Sequence, residues 1–134
     1  MNNEEIMTGV ELEIILKAGK ILLSSGAEIS RTEDTMNYIA RAMNFKDLEA
    51  YVSNRGIFAT AKKADGTEIT RICNVPEVDI NLSKIESVNA LSRRITQKNI
   101  TIEEIESELN QIDTMSDYSF FWRLVAVSYT HLRA

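Results

Sequence analysis

The sequence has little of what disulfide-bonded, secreted and membrane-spanning chains depend on. Of its 134 residues, one is a cysteine, Cys73, and one is a histidine, His131. A single cysteine excludes an intrachain disulfide framework, and the first residues lack the basic-then-apolar order of a secretory signal, so we expect a cytoplasmic protein. No stretch reaches the roughly 20 apolar residues that cross a bilayer, because Glu13, Lys17 and Lys20 interrupt the longest candidate. As given, the chain is therefore expected to be soluble.

Clustered basic residues are also missing. The chain carries 15 Lys and Arg against 20 Asp and Glu, which gives a formal net charge of -5. Binding to a phosphate backbone needs clustered cations that release counterions, so nucleic acid is not expected as a partner. With 44% hydrophobic residues, a chain of 134 residues is expected to form one globular domain with a buried core.

The most informative segment lies between two amphipathic helices. Apolar residues recur at helical spacing over residues 12–23, and Gly26 suits the C-cap of this first helix because glycine takes a positive φ at little steric cost. Ser30 and Glu33 have the Ser-x-x-Glu spacing of a capping box, which predicts the start of the second helix. The spacing predicts a helix, a tight bend and a second helix within the first third of the chain.

The middle of the chain predicts a small antiparallel sheet. Residues 47–52 alternate in polarity, residues 56–61 are rich in β formers, and residues 68–73 alternate again. Asp65 and Gly66 supply a hairpin turn between the last two segments. Three antiparallel strands are therefore expected.

Two further helices are expected after the sheet. Pro76 closes the sheet because it cannot donate to a ladder, Asp79 or Asn81 opens the third helix, and Thr101 with Glu104 repeats the capping-box pattern for the fourth. The predicted apolar faces are Leu82, Ile85, Val88, Leu91 and Ile95 on the third helix, and Ile102, Ile105, Leu109 and Ile112 on the fourth. The order ααβββαα belongs to the α+β class, not to doubly wound parallel folds.

The C-terminal region is rich in aromatic and aliphatic residues. Residues 118–127 hold four of the nine aromatic side chains, including the only tryptophan, Trp122, with Arg123 among them. Two interpretations are open here. The segment is either an amphipathic helix packed on the domain or the first turns of a membrane span, since Trp and Tyr favour the interface with lipid headgroups.

With these features in this order, the chain resembles the cytoplasmic N-terminal domain of the threonine/serine exporter family. The resemblance extends from about Leu12 to Val127. It rests on Leu22-Leu23 followed by Gly26-Ala27-Glu28, Thr60 before the Asp65-Gly66 turn, Ile80-Asn81 at the start of the third helix, and Trp122 with Leu124-Val125-Ala126. In family members the segment similar to residues 122–127 leads into the first of several membrane helices.

The resemblance implies a gating or regulatory domain, residues 1–115, at the cytoplasmic face of the plasma membrane. Larger family members resemble threonine and serine exporters, whereas smaller relatives resemble dicarboxylate exporters that need a second membrane subunit. Residues 116–127 are then the truncated start of a first transmembrane helix. Residues 128–134 resemble translated sequencing-adapter DNA, so we expect them to be artefactual and His131 to carry no function.

The partners and ligands that the resemblance implies are few. They are the membrane part of the same full-length protein, a second membrane subunit in the two-component arrangement, and a small polar carboxylate as substrate. Self-association through the sheet edge or the C-terminal segment stays open as an alternative. Neither a cofactor nor a metal is expected.

Four residues are candidates for contact with a substrate or gate: Glu28, Arg31, Arg55 and Asn81. Glu28 and Arg31 lie in the bend, where they form either an exposed pair worth under about 1 kcal/mol or a ligand contact. Arginine binds a carboxylate through two parallel hydrogen bonds, which suits amino acids and dicarboxylates alike. Arg55 either does the same or ends a strand, and Asn81 also suits a helix cap.

An enzyme is not expected, although a hydrolase-like role has been suggested for this family's soluble domain. Nucleophilic catalysis by serine or cysteine needs a base, and the only histidine lies at position 131. The sequence contains no Gly-x-Ser-x-Gly, phosphate-binding glycine loop or metal-ligand spacing. Glu28 and Asp34 form a carboxylate pair of a kind that is common by chance in so acidic a chain. A binding or self-association module is the stronger alternative to the exporter domain.

Overall fold

The computed structural model describes residues 3–115, and there the predicted order ααβββαα and the α+β class are confirmed. The helices are α1 (Asn3–Ser24), α2 (Ile29–Ala42), α3 (Leu82–Thr96) and α4 (Ile102–Asp113), and the strands are β1 (Phe45–Val52), β2 (Gly56–Lys63) and β3 (Glu68–Asn74). The predictions made for residues 116–127 and 128–134 lie outside the described residues.

The three strands form one antiparallel sheet in the order β1-β2-β3. The hairpin between β2 and β3 closes through a hydrogen bond from the Lys63 N–H to the Thr67 carbonyl (2.8 Å), and Gly66 takes a φ of +92°. The Asp65 carboxylate accepts from the Thr67 N–H at 2.9 Å. The turn therefore forms at Asp65 and Gly66, because one residue supplies the acceptor and the other supplies the positive φ.

Helix α1 is the central element of the domain. It packs against α2, α3, α4, β2 and β3, and half of its residues are buried. Gly19 lies where α1 meets α2 and the sheet: a Cβ there would stand 2.7 Å from Met36 Sδ and 3.0 Å from Ile57 Cδ1. Glycine at this position therefore allows α1 to approach both layers closely.

An ion pair at the end of β2 ties α1 to the α2–β1 connection. Lys63 Nζ lies 3.0 Å from Glu11 Oε1, donates to the Met43 carbonyl at 2.6 Å, and sits 4.3 Å from the centroid of the Phe45 ring. The two charged side chains are only 18% and 13% exposed. The Lys63 ammonium and the Glu11 carboxylate therefore compensate each other's charge in a place from which water is largely excluded.

The caps predicted for α3 and α4 are confirmed. The Asn81 side chain accepts from the Lys84 N–H at 3.0 Å, and Thr101 Oγ1 accepts from the Glu104 N–H at 3.2 Å. Each side chain satisfies an amide that has no partner within its own helix.

The capping box predicted for α2 is wrong. The N-cap is Glu28, in an extended conformation and without a side-chain cap bond, so Ser30 lies inside the first turn and does not cap with Glu33. The helix begins earlier because the chain leaves the bend already extended at Glu28, whose carbonyl accepts from the Thr32 N–H at 3.0 Å.

The prediction that Leu82 lies on the apolar face of α3 is also wrong, since this side chain is 61% exposed. Asn81 turns inward to cap the helix and is 7% exposed, so its neighbours Ile80 and Leu82 face outward. The buried face of α3 is instead carried by Val88, Leu91 and Ile95, as predicted.

Candidate functional site

The bend between α1 and α2 is a tight helix C-cap built around Gly26. Gly26 takes a φ of +100°, its N–H donates to the Leu23 carbonyl at 3.1 Å, and the Ala27 N–H donates to the Leu22 carbonyl at 2.9 Å. This pair of bonds is a Schellman motif, which satisfies carbonyls that α1 would otherwise leave unpaired. The bend therefore has a fixed geometry that positions the residues after it.

The segment before α3 holds the bend from outside. The Asp79 N–H donates to the Ser24 carbonyl at 2.9 Å, and the Asn81 N–H donates to the Ser25 carbonyl at 3.0 Å. Ile80 lies against Gly26, with its Cγ1 at 3.3 Å from the position that a Cβ would take. Chain segments more than 50 residues apart thus meet at this bend.

A cavity of about 220 Å³ lies where the bend meets α2 and α3; we call it the bend cavity. It is lined by Leu22, Gly26, Ala27, Glu28, Arg31, Thr35, Ile85 and Asn89. Glu28 and Arg31, predicted as candidates from their place in the bend, thus line one cavity. Among residues 3–115 no ion pair joins these two side chains, so both charges are available to a ligand.

The other two candidates lie elsewhere. Arg55 is exposed in the β1–β2 connection, where its carbonyl accepts from the Val75 N–H at 2.9 Å. The Asn81 side chain is buried, and besides capping α3 it donates from Nδ2 to the Met115 carbonyl at 3.3 Å. Neither residue lines the bend cavity.

A second concave surface, of about 620 Å³, runs between α1, β3 and α4; we call it the α1–β3–α4 groove. Its lining includes the basic residues Lys17, Lys20 and Arg71 together with Cys73. The groove was not predicted from the sequence. The available signal was the alternation of β3, which places Arg71 on the same face as Cys73, toward the helices.

The charged residues of the groove make contacts between elements. Arg71 Nε lies 3.3 Å from Glu13 Oε1, and Lys17 Nζ donates to Asn110 Oδ1, which links α1 to α4. The Arg71 guanidinium lies close to Gly9, where a Cβ would stand 3.4 Å from Nη2. Burial raises the pKa of the Cys73 thiol, and the nearby Lys20 opposes that shift.

The model of the threonine/serine exporter family matches residues 13–130, which is most of the chain. The chain belongs to this family. No curated protein and no solved structure shows a significant match. The predicted resemblance to this family is therefore confirmed. The function that the family's description gives is export of threonine and serine.

Membership of the threonine/serine exporter family indicates association with a membrane. In the part of the chain that the structure describes, no helix combines the length and apolarity needed for a membrane span. The family match includes every residue of the bend cavity, whereas the groove begins before it, at Glu5. Residues 3–115 contain no group of three or more His, Cys, Asp or Glu placed to hold a metal ion.

Proposed function

We propose that residues 3–115 form a cytoplasmic regulatory domain of a threonine/serine exporter, and that this domain binds the exported amino acid in the bend cavity. The observation that carries the proposal is that Glu28 and Arg31, of opposite charge and without a mutual ion pair, line one small cavity. An amino acid presents a carboxylate and an ammonium group close together. The two side chains match that pair of charges.

The size of the bend cavity favours a small ligand. Its volume of about 220 Å³ lies below the roughly 300–1,000 Å³ of pockets that hold drug-sized molecules. Arg31 is suited to hold the carboxylate by two parallel hydrogen bonds, and Glu28 to accept from the ammonium group. Thr35 and Asn89 add polar groups that suit the hydroxyl of threonine or serine.

The same charges disfavour a dicarboxylate. If one carboxylate of such a ligand bound Arg31, the second would lie near Glu28, and two like charges in a small cavity repel each other. The cavity therefore supports an amino acid rather than succinate or malate as the ligand of this domain.

The connections of α3 suggest how the domain regulates transport. Ile85 and Asn89 of α3 line the cavity, and the start of the same helix contacts the end of the described chain: Asn81 Nδ2 donates to the Met115 carbonyl and Lys84 Nζ to the Asp113 carbonyl, at 3.3 and 2.9 Å. A ligand that shifts α3 would therefore shift the point from which the chain continues. In this proposal that displacement opens or closes the membrane part.

The domain is proposed to act by binding and not by catalysis. The sequence has a single histidine to serve as a base, and burial raises the pKa of Cys73, which lowers the thiolate fraction that a nucleophile needs. Both observations support this part of the proposal.

Thermal unfolding with added ligands tests the proposal. A ligand at ten times its Kd stabilises the folded state by about 1.4 kcal/mol, which raises the Tm of a domain of this size by about 6 °C. L-threonine or L-serine should produce that rise, whereas succinate should not. The Arg31→Gln variant should lose the effect, and Arg41→Gln, the same change at an exposed position on α2, should keep it.

Two results would contradict the proposal. One is an unchanged Tm with every amino acid at concentrations up to tens of millimolar. The other is an equal rise in Arg31→Gln, which would place the ligand elsewhere. Oligomers that form irrespective of ligand would instead favour the self-association module.

A further inference from the structure

We propose that the α1–β3–α4 groove binds an extended peptide, which adds as a strand beside β3. This site is separate from the bend cavity and does not depend on the function proposed for it. The ligand class is a linear peptide of about six residues with a free carboxyl end.

The dimensions of the groove suit an extended chain. Its lining residues on α1 run from Glu5 to Lys20, which at 1.5 Å per residue is roughly 22 Å. Six or seven residues of β-strand have about this length. The floor is apolar, formed by Ile6, Val10 and Leu109, and the volume of about 620 Å³ falls within the range of ligand pockets.

The backbone of β3 is suited to strand addition. β3 pairs with β2 on one edge, and no described strand pairs with the other. The opposite edge of the sheet is interrupted, because β1 has an irregularity between Phe45 and Asp47, whereas the register of β3 runs unbroken from Glu68 to Asn74. A regular edge of this kind offers backbone groups to an incoming strand, apart from the Thr70 carbonyl, which accepts from Arg71 Nη1 at 2.9 Å.

The charges of the groove give the peptide a direction. The α1 residues of the groove begin with Glu5 and end with Lys17 and Lys20. A free carboxylate is favoured near the two lysines, since Glu13, the acidic residue nearest to them on α1, is already paired with Arg71 at 3.3 Å. β3 runs the same way, since Ile69 Cδ1 lies close to Gly9 while Cys73 pairs with Ile57, whose Cδ1 lies close to Gly19. The added strand is therefore parallel to β3.

Arg71 makes the site selective. A charge that points inward from an edge strand discourages indiscriminate pairing. Here Glu13 compensates that charge at 3.3 Å, and the guanidinium stays beside Gly9. A peptide that binds must place a small or acidic side chain next to Arg71, whereas a bulky basic one is rejected.

The test uses the full 134-residue chain labelled with ¹⁵N and a free hexapeptide of alternating valine and serine. We expect amide shifts along Glu68–Asn74 and around the groove, with none at Gly26–Arg31. Lys20→Ala should weaken binding about tenfold, whereas Lys46→Ala, an exposed lysine on β1 outside the groove, should leave it unchanged. Arg31→Gln should also bind the peptide normally, which separates this site from the bend cavity.

Chemically altered probes leave the protein intact and make the result decisive. A hexapeptide with an N-methyl group on every backbone amide has no amide N–H to donate to β3 and should lose most of its affinity. Equal binding of that peptide would overturn strand addition. Shifts at the groove with hexanoate but not with the hexapeptide would overturn it in favour of a small carboxylate ligand. Shifts along β3 that depend only on protein concentration would overturn it in favour of a second copy of the chain.

Discussion

Replacing Gly26 by alanine tests the geometry of the bend. At a φ of +100° an L-residue is strained by about 1–2 kcal/mol. The new Cβ would also stand 3.3 Å from Ile80 Cγ1, closer than ordinary van der Waals contact. We therefore expect Gly26→Ala to lower the free energy of unfolding by about 2 kcal/mol, which is a fall of about 8 °C in Tm.

Gly66 provides a matched control. Its φ is +92°, and nothing lies within 4 Å of where a Cβ would be, so Gly66→Ala reports the backbone strain without the crowding. We expect this variant to lose about 1 kcal/mol. The excess loss at Gly26 then measures the contact with Ile80, and it should shrink when Gly26→Ala is combined with Ile80→Ala.

Urea unfolding followed by circular dichroism is a suitable assay, because it separates a change in stability from a change in m. If Gly26→Ala unfolds at the wild-type midpoint, the positive φ and the close approach of Ile80 are both refuted. If Gly66→Ala loses as much as Gly26→Ala, the contact with Ile80 contributes nothing.

Three further predictions concern single residues. Lys63→Met should lower the free energy of unfolding by about 2 kcal/mol, measured in urea, because it leaves the largely buried Glu11 without its partner. Asn81→Ala should lose about 1 kcal/mol through the missing cap of α3, and Asn81→Ser should recover most of that loss, because serine also caps and neither variant keeps the bond to the Met115 carbonyl; equal losses would refute the cap. Since burial raises the pKa of Cys73, the folded chain keeps the thiol proton to higher pH than the unfolded chain does. The stability linked to this residue is thus complete below the unfolded pKa of about 8.5 and is lost as the pH rises through the folded pKa; urea midpoints at pH 7 and 9.5 should show that loss, and Cys73→Ala should lack it.

The sequence was most informative where local chemistry determines structure. The periods of the apolar residues predicted the order ααβββαα, and Gly26, Asp65 and Gly66 predicted the bend and the hairpin, because a positive φ strongly selects glycine. The caps at Asn81 and Thr101 followed from the same local rules.

The two wrong predictions, the capping box of α2 and the burial of Leu82, concern features that depend on neighbouring segments of the chain. Ser30 and Glu33 have the right spacing for a capping box, but the bend delivers the chain extended at Glu28 and the helix starts there. Leu82 matched the helical period, yet the inward turn of Asn81 directs it to solvent. The spacing of residue types along the sequence does not determine the direction from which the chain enters a helix.

For the candidate sites too, local features were predicted from the sequence and tertiary features were not. The sequence placed Glu28 and Arg31 in the tight bend as candidates, and both line the bend cavity, but it did not predict whether the two side chains contact each other. The α1–β3–α4 groove was not predicted, because it depends on how α4 and β3 pack beside α1. Those are tertiary relations between segments more than 50 residues apart.

The most direct test of the account is an L-threonine titration of the ¹⁵N-labelled chain, followed by amide shifts. Binding in the bend cavity predicts saturable shifts at residues 22–35 and 85–89, with smaller shifts at residues 81–84 and 113–115 that the displacement of α3 would move, and their absence in Arg31→Gln but not in Arg41→Gln. Shifts confined to the α1–β3–α4 groove, or none at all up to tens of millimolar, would contradict amino-acid binding in the bend cavity.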